Sequence, residues 1–350
     1  MKVFACPACG GALYFSNVAC ACGASVGYDP EAEAFVLAPD GGGSADTAWC
    51  TNREAIWCNW IAETPPAVDG GRFCRSCAMT DVIPDAFHGE NLGLWAEAER
   101  AKRWVLANLG RWGWFKAADP GPRPVFHLLA EESRIGRVPV VMGHAGGLVT
   151  INVTEADPAE IAQRREAMGE QLRTMTGHFR HELGHFFFER WRERPGFIDS
   201  FRAVFGDERA DYGEALARHY DGRALPEGWA DRHVTPYAAA HPHEDWAESF
   251  AHLLHLTDIT DSFLAAGLCS DEIARAVMGG TAADAAAVEA AYDAYGETEA
   301  QRLLTLAAHL GIALNHVNRA MGLTDIYPFV LTPTIREKLA FVHGWIREAG

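Results

Sequence analysis

Leu92 to Leu109 places apolar residues at intervals of three and four and reads as an amphipathic helix. VFHLLAE (Val125–Glu131) and VPVVMGH (Val138–His144) read as strands, and GLVTINVTEA (Gly147–Ala156) as a third with alternating apolar positions. Asp157-Pro158 resembles a helix start, with Asp at the cap and Pro at the first helical position. From there the pattern predicts helix with little interruption to Trp191, and mostly Ala- and Leu-rich helix beyond Asp261. Before Asn91 the character is different. Residues 1–38 carry the short β-prone runs ALYF and FVLA among glycines, and a polar glycine-rich joint, Pro39 to Asp46, follows. Residues 48–85 gather Trp49, Trp57 and Trp60. The patterning predicts an α+β chain, mainly helical with a small β-sheet, in three parts: 1–40, 46–88 and 91–350.

Cysteine placement sharpens this division. Of nine cysteines, eight lie between Cys6 and Cys77. Cys6-x-x-Cys9 and Cys20-x-Cys22 each end in a glycine and have the form of a zinc ribbon, although the second spacing is one residue short of the usual knuckle. Cys50, Cys58, Cys74 and Cys77 form a second set with one recognisable knuckle, Cys74-x-x-Cys77, and suggest a second structural zinc. The two sets differ in spacing and are not copies. Four thiolates close a tetrahedral site, so these modules are expected to be structural or docking elements. Cys269 lies in no polar cluster and is expected to be a buried small side chain in a helix.

The chemistry is expected in GHFRHELGHFFFERW (Gly177–Trp191). His181 and His185, four apart, share one helix face and can reach one metal. Glu182 stands about 100° round from His181, where it can reach a metal-bound water without ligating. Leu172, Phe179, Leu183, Phe186 and Phe187 fall on the opposite, apolar face. The motif continues as FFFERW without the glycine and third histidine of a metzincin, so the third ligand must lie elsewhere. HPHEDWAESFAHLLH (His241–His255) is the candidate: Glu244, Glu248, His252 and His255 fall within about 80° of a helical wheel. Spacing alone leaves Glu244 and Glu248 both open.

These segments resemble the bacterial family called "putative zinc-binding metallopeptidases". The likeness spans nearly the whole chain: the N-terminal ribbon, CNW (Cys58–Trp60), AKRW (Ala101–Trp104), GHAGGLVTINVTEAD (Gly143–Asp157), GHFRHELGH and HPHEDWAES. The resemblance implies a zincin-like metallopeptidase domain preceded by zinc-ribbon-like modules. In the wider gluzincin group the ligand glutamate is followed four residues later by an acidic residue that supports it, which matches Glu244 and Glu248. Lethal-factor-like members carry a tyrosine seven residues before the ligand, where Tyr237 stands.

The expected activity is hydrolysis of peptide bonds in a peptide or protein substrate, with Glu182 as general base and Tyr237 assisting the zinc at the oxyanion. The expected cofactors are three zinc ions, one catalytic and two structural. GLVTINVTEA is a candidate edge for an extended peptide, or an ordinary core strand. His178 is a candidate to support the metal site, and His144, Glu208 and Asp211 are weaker candidates, read as loop or helix-start residues. With 30 Lys+Arg against 47 Asp+Glu the formal charge is −17, which disfavours a nucleic-acid partner. MKVFACPACGG lacks the apolar run of a signal peptide, and no stretch approaches the ~20 apolar residues of a membrane helix. A cytoplasmic protein without a membrane partner is expected, with a protein partner for the cysteine modules.

Overall fold

The computed structural model describes residues 3–38, 47–63, 70–221, 225–268 and 292–348. Cys269 lies outside the described residues. The fold is α+β and mainly helical, with small sheets, and packs as two compact units, Met1–Phe179 and Arg180–Gly350. Among the described residues no helix is long and apolar enough to cross a membrane.

The first unit opens with two antiparallel hairpins, Phe4–Ala5 with Ala12–Leu13 and Val26–Asp29 with Ala34–Leu37. Their aromatic residues supply the small core: Tyr28 lies edge-on to Phe4, Phe15 and Phe35. Tyr28 also bridges Trp60, and Phe15 meets Trp104 edge-on, so both cysteine segments and the Asn91–Gly110 helix share one packed region. That helix matches the predicted span within one residue at each end but is not simply amphipathic. Glu99 and Lys102 are fully buried as an ion pair at 2.8 Å, because short helices at Arg53–Ile56 and Arg75–Ala78 pack against it.

A four-stranded sheet follows, in the order Thr80–Val82, Val125–Leu129, Leu148–Asn152, Gly143–Ala145. Its middle strands pair in parallel and bury Phe126, Leu128, Val149 and Ile151 completely. Three expectations change here. VPVVM is not a strand: Pro139 has no N–H to offer a ladder, Val141 is exposed, and pairing begins only at Gly143. GLVTINVTEA is the core strand of its two readings and not an edge, since Leu148–Asn152 is paired on both sides; the edges of this sheet are Thr80–Val82 and Gly143–Ala145. Helix is also not continuous to Trp191. It starts as expected, with the Asp157 carboxylate accepting from Ala159 N at 2.7 Å, but it stops at Gly169. Gly169 adopts φ +65°, the left-handed conformation that closes a helix and that glycine takes without strain. A new helix, Met175–Trp191, begins six residues later, which leaves Leu172 outside it.

The second unit is helical. Residues from Arg180 onward of the Met175–Trp191 helix pack with Phe197–Phe205, Pro242–Ala265 and Pro333–Arg347 around Phe187, Trp191, Phe197, Phe201, Trp246 and Phe250. Each such buried ring contributes about 1.5–3 kcal/mol. One contact sets the geometry of the site. A Cβ added at Gly184 would stand 3.0 Å from Ala247 Cα and 3.1 Å from Phe250 Cβ. The glycine between Leu183 and His185 therefore lets the two helices touch backbone to backbone, and Trp246 Nε1 donates to Gly184 O at 2.7 Å across the same contact. This approach carries Glu244 to the two histidines.

Candidate metal centre

His181 and His185 project one turn apart from their helix, and Glu244 faces them from the first turn of Pro242–Ala265. His181 Nε2 and His185 Nε2 are 3.2 Å apart, and Glu244 Oε2 stands 3.0 Å and 3.5 Å from them. Donors about 2.0–2.1 Å from one zinc in a tetrahedron are separated by about 3.3 Å, so this triangle fits the ion. Glu244 is fully buried, yet its Oε2 has no hydrogen-bond partner among the described residues. A buried carboxylate oxygen aimed at two imidazole nitrogens is what a cation site requires.

The surrounding groups hold this arrangement. Glu248 Oε1 accepts from His181 Nδ1 at 2.7 Å, so His181 Nε2 is the ring nitrogen turned toward Glu244 and His185. Glu248 Oε2 in turn accepts from the Thr235 hydroxyl at 2.8 Å. Burial raises the Glu244 carboxyl, but His181 and His185 outweigh it and leave the group well below the usual carboxylate range. Burial opposes the charged form of His181, while Glu244 and Glu248 favour it more strongly and push it well above the usual imidazole value.

Both cysteine sets also converge. Cys6 Sγ and Cys22 Sγ are 3.9 Å apart, and Cys9 Sγ and Cys20 Sγ 3.7 Å. Cys58 Sγ lies 3.6 Å from Cys74 Sγ and 3.8 Å from Cys77 Sγ, and Cys50 completes that group. Sulfurs about 2.3 Å from one zinc stand about 3.8 Å apart, against about 2.05 Å in a disulfide. Each set fits a closed four-thiolate site. The second is buried throughout, whereas Cys9 and Cys22 of the first are exposed.

A family model described as "Putative zinc-binding metallo-peptidase" matches residues 91–345. The chain belongs to that family. A zinc-ribbon domain model matches residues 3–88. Similar proteins are uncharacterized proteins of Mycobacterium tuberculosis and Mycobacterium bovis, each 36% identical over 360 residues, covering 99% of this chain and 96% of the relative. No solved structure matches the chain.

The family's motif helix also carries Glu182, which is buried and whose Oε2 has no hydrogen-bond partner among the described residues. Tyr237 lies beside the histidines, its ring centroid 5.9 Å from that of His181. Burial, and then Glu244, hold its phenol far above the usual value, so it is a neutral O–H donor. The weaker candidates have other partners. His178 Nε2 lies 2.9 Å from Glu155 Oε2, and His144 Nε2 accepts from Gly147 N in its turn. Glu208 pairs with Arg202, and Asp211 caps the Tyr212–Tyr220 helix. On the wheel of Pro242–Ala265, His252 and His255 lie beyond Glu244 and Glu248, His252 buried and His255 partly so, with His252 Nδ1 2.8 Å from the Tyr327 hydroxyl. Two site residues were missed from sequence: Thr235, and Tyr212, whose hydroxyl donates to Glu244 Oε1 at 2.6 Å. Their one sequence signal is a hydroxyl within a histidine- and acid-rich stretch, too common to single out.

Proposed function

We propose that the protein is a gluzincin-like peptidase that hydrolyses peptide bonds at a zinc held by His181, His185 and Glu244. One observation carries this reading. Three ligand atoms converge at tetrahedral spacing with no fourth protein donor among the described residues, and Glu182, the residue after the first ligand, keeps a buried carboxylate oxygen without a partner. Zinc bound there supplies Lewis acidity and brings the pKa of a water toward neutrality.

The chain's own groups do the rest. Glu182 takes a proton from the attacking water and delivers it to the leaving amine, so it is regenerated as each peptide bond breaks. The neutral Tyr237 hydroxyl donates to the carbonyl oxygen as it gains charge. Glu248 and Thr235 hold His181 in the tautomer that presents Nε2. The same reading assigns structural zinc to Cys6, Cys9, Cys20 and Cys22 and to Cys50, Cys58, Cys74 and Cys77. It places the protein in the cytoplasm, with 1–40 and 46–88 as modules that dock a protein partner, 91–350 as the peptidase domain, and no nucleic-acid or membrane partner.

The test is digestion of a peptide library by purified protein before and after chelation, with elemental analysis of the same sample. Cleavage that chelation abolishes and zinc restores is expected, with about three zinc ions per chain if every set closes. A fully zinc-loaded protein that cleaves nothing would instead support a zinc-organised interaction protein, and cleavage of other amides or esters alone would move the substrate class.

A further inference from the structure

Glu244 offers two carboxylate oxygens, and the protein treats them differently. Oε2 faces His181 and His185 and makes no hydrogen bond among the described residues, whereas Oε1 accepts a 2.6 Å bond from the Tyr212 hydroxyl. We propose that Tyr212 is a positioning residue that confines Glu244 to ligation through Oε2 alone. This inference rests on the reading of Glu244 as a zinc ligand.

A charge-assisted O–H···O bond of this length is among the stronger ones a carboxylate makes. Oε1 would have to give it up before turning to a cation, and Glu244 is itself fully buried, so a carboxylate oxygen stripped of this bond is costly to leave unpaired. Two imidazoles and one carboxylate oxygen make three donors and keep the fourth position for water; a second oxygen from Glu244 would crowd it.

Tyr212 is itself well anchored for this work. It begins the Tyr212–Tyr220 helix, which Asp211 caps by accepting from Glu214 N at 2.8 Å. His241, the cap of the ligand helix, reaches back from Nε2 to Ala210 O at 3.0 Å and lies edge-on to the Tyr212 ring at 5.2 Å. The start of one helix is thereby tied to the start of the other, next to both partners of the bond. Tyr212 spends its single proton on Glu244.

The experiment compares wild type with Tyr212→Phe, which keeps the ring and deletes the donor. Brief chelation removes the catalytic ion while the cysteine sites keep zinc; the proteins are then titrated with zinc against a competing chelator and, separately, reloaded with cobalt(II). Tyr212→Phe should bind zinc roughly 10–100-fold more weakly, the usual cost of losing a group that holds a ligand. Its cobalt absorption should weaken toward the five-coordinate pattern, and kcat should fall more than KM changes. Tyr212→Met, which fills similar space without a donor, serves if the first variant does not fold. Wild-type zinc affinity with a wild-type cobalt spectrum in a folded variant overturns the inference. Glu244→Ala in the same series separates the two levels. Retention of the catalytic ion there defeats the ligand assignment itself, whereas loss of the ion there beside an unchanged Tyr212 variant defeats only the role of Tyr212.

Discussion

Two buried glutamates, one in each unit, meet histidines of the same helix and are completed differently. Glu155 is saturated: Oε1 accepts from Arg164 and Arg173 at 3.0 Å and 2.7 Å, and Oε2 meets Arg173 and His178 at 2.7 Å and 2.9 Å. Its neighbour Glu131 is likewise bonded by Arg164, Asn152 and Arg137. Glu244 has Tyr212 on one oxygen, while the other faces two imidazole nitrogens and has no hydrogen-bond partner among the described residues, and Glu182 likewise keeps an oxygen with none among them. His178 and His181 stand three residues apart in one helix, yet the first joins a closed ion-pair network and the second an open cluster. Burial and residue type do not separate the two; counting donors against oxygens does. A saturated network is a structural one, and a buried oxygen left over marks where a metal or a reacting molecule belongs.

The largest test of that contrast is Glu182→Gln. If the unpartnered oxygen serves as base and not as ligand, the variant should lose about 10²–10⁴-fold in rate while its zinc content stays at the wild-type value. Parallel rate and elemental measurements check this. Unchanged turnover would mean that the leftover oxygen marks nothing, and loss of the catalytic ion from a folded variant would make Glu182 a structural group.

How much of this could be read in advance depended on whether one element carried it. The meeting of His181 and His185 was legible because a single helix fixes their relation, and each cysteine knuckle because one or two intervening residues hold its pair together. Glu244 and Glu248 stayed equivalent because one helical turn returns both to the same face. Only the approach of two helices at Gly184 and Ala247 separates them, setting Glu244 at both Nε2 atoms and Glu248 at His181 Nδ1. Tyr212 and Thr235 lie 32 and 13 residues from the carboxylates they bond, in segments whose local pattern is used up by caps and turns. The break at Gly169 and the loss of the VPVVM strand were signalled by a glycine and a proline that the surrounding helical and β-prone patterns masked.

A smaller effect is expected at the support of the open cluster. Glu248→Ala removes the acceptor on His181 Nδ1 and frees that ring to change tautomer or turn. Zinc affinity should fall roughly 10–100-fold, with the ion still bound at saturating zinc. Chelator competition measures it. Complete loss of the ion from a folded Glu248→Ala, together with its retention in Glu244→Ala, would exchange the two roles and leave the contrast with Glu155 standing.

The smallest effect belongs to the saturated side, and its sign follows from the Glu155 carboxyl. Burial raises that group, but His178 and Arg173 outweigh burial and hold it at about 2, against an ordinary 4.5. A carboxyl depressed on folding contributes stability that is present above its unfolded value and lost as the pH falls through the folded one. The first unit should therefore weaken between about pH 4.5 and pH 2 as Glu155 takes up its proton and releases its partners. Glu155→Gln should cost on the order of 1–2 kcal/mol near neutral pH after allowing for solvent screening. Other depressed carboxyls, Glu131 and Glu244 among them, add acid sensitivity to both proteins, so the informative quantity is the difference between their denaturant midpoints. That difference should be largest near pH 7 and shrink toward zero by pH 2. Zinc binding should change little, because Glu155 has no oxygen left to offer a metal. A Glu155→Gln variant that instead lost the catalytic ion while keeping its neutral-pH stability would show that a fully partnered carboxylate can serve the metal site, and the distinction between closed and open networks would fail.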